Sequence, residues 1–231
     1  MVETLKPIPE NVDKSLAGAV YETLLEAIVS GNLQGGEILS EVGVAEALNV
    51  SRTPVNIAFK ELAKDGLIER PANRRAVVVG FTPDDVYEIF EMRKYLECPA
   101  AELAAARVDE RFLAPMREAL DELEATTGEI GWSARWADHD EVFHREISIA
   151  SGNQRLAADI GRYRLLHHSF NKLATDAETL HRALQQHRSI LEALETHDGE
   201  AARKAMLAHL TDFQKHFIRE LRAEQASHKK K

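Results

Sequence analysis

Apolar residues recur at every fourth position near the start of the chain, and this spacing predicts an amphipathic helix over residues 16–28. Two further helices follow it. Ser40 can cap the first of them, and the second begins after its own cap, Ser51, and runs over residues 52–65. Pro54 lies in the first turn of this last helix, where a missing N–H costs little. The pattern is therefore helix, helix, turn, helix.

The pattern then changes to short alternating or β-branched runs at residues 67–70 and 76–79, which predict the two strands of a β-hairpin. The basic segment 71–75 separates the two runs and forms the tip of the predicted hairpin. Three helices and a hairpin make a winged helix-turn-helix, a fold that places one helix in the major groove of DNA.

The rest of the chain has only helical periodicity. Thr82-Pro83-Asp84-Asp85 combines a cap, a proline at the first helical position and acidic first-turn residues, which together mark a helix start. Six helices are predicted from there, near residues 82–107, 109–126, 132–151, 153–173, 176–196 and 199–225. The predicted fold class is therefore mainly α: a winged helix-turn-helix domain over residues 1–80, then an antiparallel all-α helical bundle over residues 81–231.

The net charge of −9 over 231 residues argues against unspecific nucleic-acid binding, because proteins that neutralise many phosphates carry a basic excess. Residues 51–75 nevertheless hold six basic side chains against three acidic ones. Because this local excess is modest, specific binding to double-stranded DNA would need a few placed contacts and two copies of the chain. We therefore expect a homodimer.

Cysteine usage and the N-terminal sequence indicate the compartment. The single cysteine, Cys98, excludes an internal disulfide framework, and the first residues contain no apolar stretch that would act as a secretion or membrane signal. We expect a cytoplasmic protein without a membrane partner.

Candidate DNA-contacting side chains lie at the start of the helix over residues 52–65, the end that faces the major groove in a helix-turn-helix. Arginine can bond guanine or phosphate, serine and threonine hydroxyls suit phosphates, and asparagine can pair with adenine. An isolated Ser-Arg-Thr-Pro run is more often only a cap and a solvated charge. With the basic hairpin tip included, the candidates are Ser51, Arg52, Thr53, Asn56, Arg74 and Arg75.

Polar residues interrupt the apolar stripes of the predicted bundle. Asp140 and His144 are four residues apart and share one helix face, while His187 and His209 fall among the inward-facing apolar residues of two later helices. Unpaired polar groups in such a core are costly, and a divalent metal would satisfy all four at once. An inward histidine is, however, more often a hydrogen-bonded core residue. A shift of helix phase would also bring other histidines inward, namely His139, His167, His168, His181 and His216.

Arg93 lies on an apolar stripe and is therefore expected to point inward. One role is a salt bridge to Glu97 or to a neighbouring helix. The other is binding of a carboxylate ligand, because a guanidinium near a metal is a natural carboxylate clamp. Arg162 and Arg164 are weaker candidates for the same ligand.

The segment over residues 38–68 closely resembles the winged helix of the GntR family of bacterial regulators, above all in Ala45-Glu46-Ala47-Leu48-Asn49-Val50-Ser51-Arg52-Thr53-Pro54-Val55. The resemblance covers residues 16–80 and implies a DNA-binding transcription regulator. Asn56-Ile57 stands where the family usually has an arginine after the Pro-Val pair, and Arg74-Arg75-Ala76 stands where the wing usually has a glycine. We therefore expect an operator that differs from the family's usual one.

The helical region resembles the FCD-type effector domain of the FadR-like branch of that family. The resemblance rests on Asp140-Glu141-Val142-Phe143-His144, Ser151-Gly152-Asn153, the segment 187–194 and Met206-Leu207-Ala208-His209-Leu210. In many members of this branch the matching aspartate and three histidines bind a divalent metal, often zinc, with a small organic acid beside it. The resemblance thus implies zinc, with nickel or manganese as alternatives, and favours Arg93 as an effector-binding residue. The implied metal ligands are Asp140, His144, His187 and His209.

These observations together predict a ligand-responsive transcription regulator, expected to be a repressor, that senses a small carboxylate. A metal-dependent enzyme is a second hypothesis, because three histidines and an aspartate with an open coordination position can activate water. The sequence shows no partner acid/base set or nucleophile motif, and catalysis would not explain the winged helix. A third hypothesis is a DNA-binding protein whose metal is only structural.

Overall fold

The computed structural model describes residues 5, 7, 8, 15–70, 75–170 and 177–228. The chain divides into two compact units. The first lies within residues 1–82 and 166–172, and the second lies within residues 83–165 and 173–231.

The three predicted N-terminal helices and the wing are present. The helices are α1 (Leu16–Val29), α2 (Glu41–Leu48) and α3 (Arg52–Lys64), and the strands are β1 (Ile38–Leu39), β2 (Ile68–Glu69) and β3 (Ala76–Val78). The strands form an antiparallel sheet in the order β1-β3-β2, with Ile38 opposite Val77 and Ile68 opposite Val78. The sequence pattern does not predict β1, because a two-residue strand has no periodicity and exists only through pairing with β3.

Local sequence signals determine the turn between α2 and α3. Ser40 Oγ accepts a hydrogen bond of 2.9 Å from Gly43 N and so caps α2 as predicted. Asn49 ends α2 in the left-handed conformation, with φ at 54°, which asparagine tolerates. Ser51 occupies the N-cap position of α3, but its side chain accepts no capping hydrogen bond. The predicted side-chain cap is therefore wrong at Ser51, and its exposed hydroxyl is available to another partner.

The six predicted helices of the C-terminal region are also present, with ends within a few residues of the sequence prediction. They are α4 (Pro83–Ala105), α5 (Glu110–Ala125), α6 (Trp132–Ala150), α7 (Gln154–Phe170), α8 (Ala177–Glu195) and α9 (Gly199–His228). The predicted end of the fourth of these, at residues 171–173, lies outside the described residues.

Helices α4 and α9 form the centre of the bundle. Helix α4 packs against α6, α8 and α9, and α9 also packs against α8. The start of α9 approaches α4 closely because Gly199 has no side chain: a Cβ there would lie 3.1 Å from Glu102 O. None of the described helices is both long and apolar enough to cross a membrane. This packing brings inward-facing residues of α4, α6, α8 and α9 together.

Candidate functional site

Four polar side chains meet in the core of the bundle. Asp140 and His144 lie one turn apart on α6, His187 lies on α8 and His209 lies on α9. Each is at most 4% exposed, and one potential ligand atom from each lies within 4.8 Å of those of the other three. Within the described part of the chain, these four are the histidine and acidic side chains that can hold a metal ion together.

The atoms that face one another are one carboxylate oxygen and three Nε2 atoms. Asp140 Oδ1 lies 3.4 Å from His187 Nε2 and 3.6 Å from His144 Nε2. The Nε2 atoms of His144 and His209 are 3.2 Å apart. The four side chains thus present a single convergent set of donor atoms.

The outer nitrogens of two of these histidines face hydrogen-bond acceptors. His144 Nδ1 donates to Glu97 Oε2 at 2.5 Å, and His209 Nδ1 donates to Gln186 Oε1 at 3.0 Å. These acceptors favour the tautomer with the proton on Nδ1 and the lone pair on Nε2. In this tautomer the two facing Nε2 atoms are both acceptors, so a cation between them would remove their mutual repulsion.

A similar outer contact orients Asp140. Arg164 Nη2 donates to Asp140 Oδ2 at 2.8 Å, and Arg164 Nε and Nη2 both donate to Glu141 Oε2, at 3.1 and 3.0 Å. The guanidinium holds the outer oxygen of Asp140 and leaves Oδ1 facing the histidines. Arg164 is therefore a positioning residue for the aspartate.

His187 supplies the sharpest test of whether a metal fits. Its Nδ1 lies 3.3 Å from His139 Nε2, whereas its Nε2 is fully buried and has no hydrogen-bond partner among the described residues. An orphaned ring nitrogen in a buried site costs free energy unless something binds it. A metal ion bound by the four convergent atoms would satisfy it, so the residues fit the ion.

Burial and neighbouring charges set the protonation states that a cation requires. Burial lowers the pKa of His187 to about 3 and that of His139 to about 4, and it lowers the pKa of His209 well below its usual range. Burial alone would raise the pKa of Asp140, but the Arg164 guanidinium holds it well below its usual range. Near neutral pH the site therefore contains an ionised carboxylate beside the unprotonated imidazoles of His187 and His209, the forms that bind metal.

Arg93 forms the salt bridge to Glu97, which was one of the two roles that the sequence suggested for it. The side chain is 2% exposed, its Nε donates to Glu97 Oε1 at 2.6 Å, and its Cζ lies 5.1 Å from the centre of the Phe90 ring. Burial would raise the pKa of Glu97, but the charge of Arg93 and the hydrogen bond from His144 hold it far below its usual range. Glu97 thus links the predicted effector arginine to His144. The sequence signal for Glu97 was its position four residues after Arg93 on a buried stripe.

The remaining candidates of the bundle occupy different positions. Arg162 lies on the exposed side of α7, in contrast to the buried Arg164. His139 is buried beside His187, and His181 is exposed on α8. His167 and His216 are buried outside the four-residue cluster, and nothing is described of the His168 side chain.

In the first unit, the predicted DNA-reading residues lie at the start of α3. Ser51, Arg52 and Thr53 are exposed and Asn56 is half-buried. Arg75 is exposed beside β3, whereas Arg74 lies outside the described residues.

Glu41, which the sequence reasoning missed, connects several of these groups. Its carboxylate accepts a hydrogen bond from Asn56 Nδ2 at 2.8 Å, pairs with Arg52 Nη2 at 3.5 Å and binds the Arg70 guanidinium. The sequence signal was weak, because an acidic residue directly after a cap usually serves only the helix dipole. A groove of about 290 Å³ is lined by Glu41 together with Arg52, Arg70 and Arg75, so one carboxylate and three cations share this surface.

Comparison with known proteins identifies both parts of the chain. The model of the "Bacterial regulatory proteins, gntR family" matches residues 16–78, and the FCD domain model matches residues 88–212. The uncharacterized HTH-type transcriptional regulator YdhC of Bacillus subtilis (strain 168) is 30% identical over 82% of this chain and 85% of its own length. The HTH-type transcriptional repressor RspR of Escherichia coli (strain K12) is 29% identical over 89% of this chain and 90% of its own length.

A solved structure supports the fold. The structure of E. coli McbR/YncC superposes with a TM-score of 0.75 over 90% of this chain and 99% of that chain, at 22% sequence identity. At this identity the likeness supports the fold alone.

Proposed function

The chain belongs to the gntR family of bacterial regulatory proteins and is a DNA-binding transcription regulator with an FCD domain, and we propose that it is a repressor controlled by a small organic acid. The regulator is not an enzyme. We assign DNA binding to residues 1–80 and effector binding to residues 81–231, and we place the protein in the cytoplasm. The observation that carries the proposal is the buried cluster of one aspartate and three histidines inside the FCD domain. The relative RspR is named a repressor, which supports repression rather than activation.

We infer that the cluster binds one divalent metal ion through Asp140 Oδ1 and the Nε2 atoms of His144, His187 and His209. Three imidazoles and one carboxylate suit zinc, and nickel or manganese are alternatives because they accept the same donors. When bound, the ion supplies a Lewis-acidic position that can hold an oxygen of a carboxylate. The chain's own residues fix the donor atoms through Glu97, Gln186 and Arg164.

The effector is proposed to be a small carboxylate that interacts with Arg93 beside the metal. Arg93 already binds the Glu97 carboxylate, so an effector carboxylate would compete with Glu97 for the same guanidinium. Because Glu97 also accepts a hydrogen bond from His144, this competition would change the contact that orients His144, a proposed metal ligand. Arg164 would act on the effector through Asp140, and the exposed Arg162 stays a weaker candidate.

Operator binding is assigned to two copies of the chain acting as a symmetric dimer on a palindromic operator. Ser51, Arg52, Thr53 and Asn56 would enter the major groove, and Arg74 and Arg75 of the wing would contact the flanking backbone. Helix α4 follows the winged helix directly in the chain and carries Arg93 and Glu97. An effector that shifts α4 would therefore act on the helix that directly follows the DNA-binding winged helix in the sequence.

The metal assignment is tested by elemental analysis of protein purified without chelators. We expect one divalent ion per chain in the wild type and loss of the ion in His187→Ala. The control is His181→Ala, which removes an exposed histidine from the same helix and should keep the ion. Wild type that contains no metal and takes up none from added zinc would contradict the assignment.

The effector assignment is tested by following the melting temperature of the metal-loaded protein during titration with a panel of organic acids. A ligand that binds only the folded state raises the melting temperature. If no acid raises the melting temperature while the metal does, the metal is only structural, and the effector part of the proposal is wrong.

The dimer is tested by light scattering with operator duplexes selected from random sequence. A monomer bound to DNA at micromolar protein concentration would contradict the dimer.

A further inference from the structure

One buried indole group of the bundle lacks a hydrogen bond. Trp136 is 2% exposed, and its Nε1 has no hydrogen-bond partner within the part of the chain that the structure describes. Trp132, one turn earlier on α6, is 5% exposed, but its Nε1 donates to Leu123 O at 2.7 Å. Buried tryptophans usually find a partner for this N–H, because an unsatisfied donor costs free energy. The donor of Trp136 therefore requires a partner that the described chain does not supply.

Trp136 lies against the proposed metal site. It precedes Asp140 by four residues, so the two side chains share one face of α6. Its ring stacks on the ring of His187 at 5.7 Å between centroids and on that of Phe213 at 6.2 Å. The Phe213 ring in turn contacts the ring of His209 at 5.1 Å. Trp136 thus contacts one proposed metal ligand directly and a second one through Phe213.

The chemistry of the indole limits what the missing partner can be. An indole N–H only donates, so the partner must be an acceptor. A carboxylate has two acceptor oxygens, and when one binds a metal ion the other remains free for a second contact. The indole lies among aromatic rings, because it stacks on the rings of His187 and Phe213. A hydrogen bond to an anionic oxygen is strong in such surroundings.

We propose that the indole N–H of Trp136 donates a hydrogen bond to the carboxylate effector, which makes Trp136 an effector-binding residue. The inference rests on the proposed function, because it requires a carboxylate at the metal. It adds a recognition element on α6, the helix that carries two of the four proposed metal ligands. A carboxylate held in this way contacts the metal through one oxygen and α6 through the other.

The test uses the full chain labelled with ¹⁵N-tryptophan, loaded with zinc and titrated with acetate as the probe. The two indole N–H signals are assigned with Trp132→Phe and Trp136→Phe, which keep an aromatic ring and remove the donor. We expect the Trp136 indole proton to move downfield and to saturate with acetate, while the Trp132 signal stays in place because its hydrogen bond to Leu123 is already made. Because the chain has two tryptophans, one folded variant is enough to assign both signals.

Calorimetric titration of the variants gives a second readout. Trp136→Phe should weaken acetate binding about 10- to 150-fold, the range expected for one hydrogen bond to a charged group, and leave zinc affinity unchanged. Trp132→Phe is the matched control and should bind acetate as the wild type does. If acetate binds the zinc form but the Trp136 signal does not move and Trp136→Phe binds equally well, the inference is wrong and the proposed function stands. If the wild type binds neither zinc nor acetate, the proposed function fails and the inference fails with it.

Discussion

At the scale of single residues, the contacts around the ligand atoms determine what the proposed metal site can do. His144, His209 and Asp140 each have an outer hydrogen-bond partner, Glu97, Gln186 and Arg164 respectively, that leaves the inner atom facing the other ligands. Sequence reasoning placed all four proposed ligands but none of these outer partners in that role. The proposed ligands could be recognised because they fall at inward positions of the helical apolar pattern. The outer partners Glu97 and Gln186 can be recognised only from distances between helices that are far apart in the sequence.

Glu97→Gln should weaken zinc binding about 10- to 100-fold, which is the usual effect of removing an outer-sphere partner. The amide keeps an acceptor oxygen, but it loses the charge that pairs with Arg93 and that favours the Nδ1 proton of His144. Competition titration with a chromophoric chelator measures the affinity, and circular dichroism establishes that the variant is folded. Glu102→Gln, an exposed acid on the same helix paired with Arg203, is the control. Equal zinc affinity in all three proteins would contradict the role of Glu97.

The buried histidines predict how the stability of the metal-free protein depends on pH. The pKa of His187 is lowered to about 3 and that of His139 to about 4, so between each of these values and about 6.5 the unfolded chain binds protons that the folded chain does not. Stability should therefore be fully present above pH 6.5 and fall as the pH decreases. Each of these histidines should cost about 2 kcal/mol between pH 6.5 and pH 5.

Urea denaturation in the presence of EDTA, at pH 7 and at pH 5, measures this loss. His139→Gln should reduce the difference between the two pH values, while His181→Gln, whose histidine is exposed, should leave it unchanged. A free energy of unfolding that is the same at both pH values would show that these side chains are not held neutral by burial.

Arg52→Ala should lower the affinity for a selected operator by about 1–3 kcal/mol, because Arg52 is exposed at the start of the reading helix. Lys64→Ala is a close match, since Lys64 is also an exposed cation of α3 and pairs with Glu61 at 3.5 Å, but it lies at the opposite end of the helix. Mobility-shift titrations at fixed salt compare the two. A loss that is equal for both variants would indicate general electrostatics rather than a reading role for Arg52.

At the scale of elements, the helices could be predicted from the sequence and the sheet only in part. Caps, glycines and apolar spacing are local signals, so the helices from α1 to α9 have ends close to the predicted ones. Strand β1 depends on pairing between Ile38 and Val77, which are far apart in the chain and leave no local pattern. Glu41 escaped prediction for the same reason, because its partners Asn56 and Arg70 become neighbours only when α2, α3 and the wing pack together.

Tyr21→Phe should lower the free energy of unfolding by about 1–2 kcal/mol, because it removes a hydrogen bond between α1 and α3. Tyr21 Oη donates to Asp65 Oδ2 at 2.8 Å, and burial together with Asp65 raises the pKa of the phenol. Urea denaturation followed by circular dichroism measures the change. Tyr95→Phe, whose side chain is 71% exposed, is the control and should be neutral. Two equally stable variants would mean that this hydrogen bond does not hold α1 against α3.

At the scale of the whole molecule, regulation requires that the effector bind one state of the protein more tightly than another. A tenfold change in operator affinity requires a tenfold difference in effector affinity between the DNA-binding and the non-binding states, which is about 1.4 kcal/mol. We propose that such a difference arises if the effector replaces Glu97 at Arg93 and contacts metal ligands carried by α6, α8 and α9. The overall charge of −9 also fits this scheme, because weak unspecific DNA binding leaves control to specific contacts.

His187→Ala combined with His209→Ala should abolish both metal binding and the response to organic acids, while operator binding by the metal-free protein stays within about twofold of the wild type. The reason is that both histidines lie in the FCD domain, matched over residues 88–212, whereas the reading helix lies in the part matched to the gntR family over residues 16–78. Mobility-shift titrations with and without acid, in zinc and in EDTA, separate the two effects, and His181→Ala serves as the control on α8. If the double variant keeps its response to the acid, the effector acts at a site other than this cluster. If instead it loses operator binding without acid, the cluster is needed to maintain the fold of the regulator, and its role in sensing would have to be measured in the single variants.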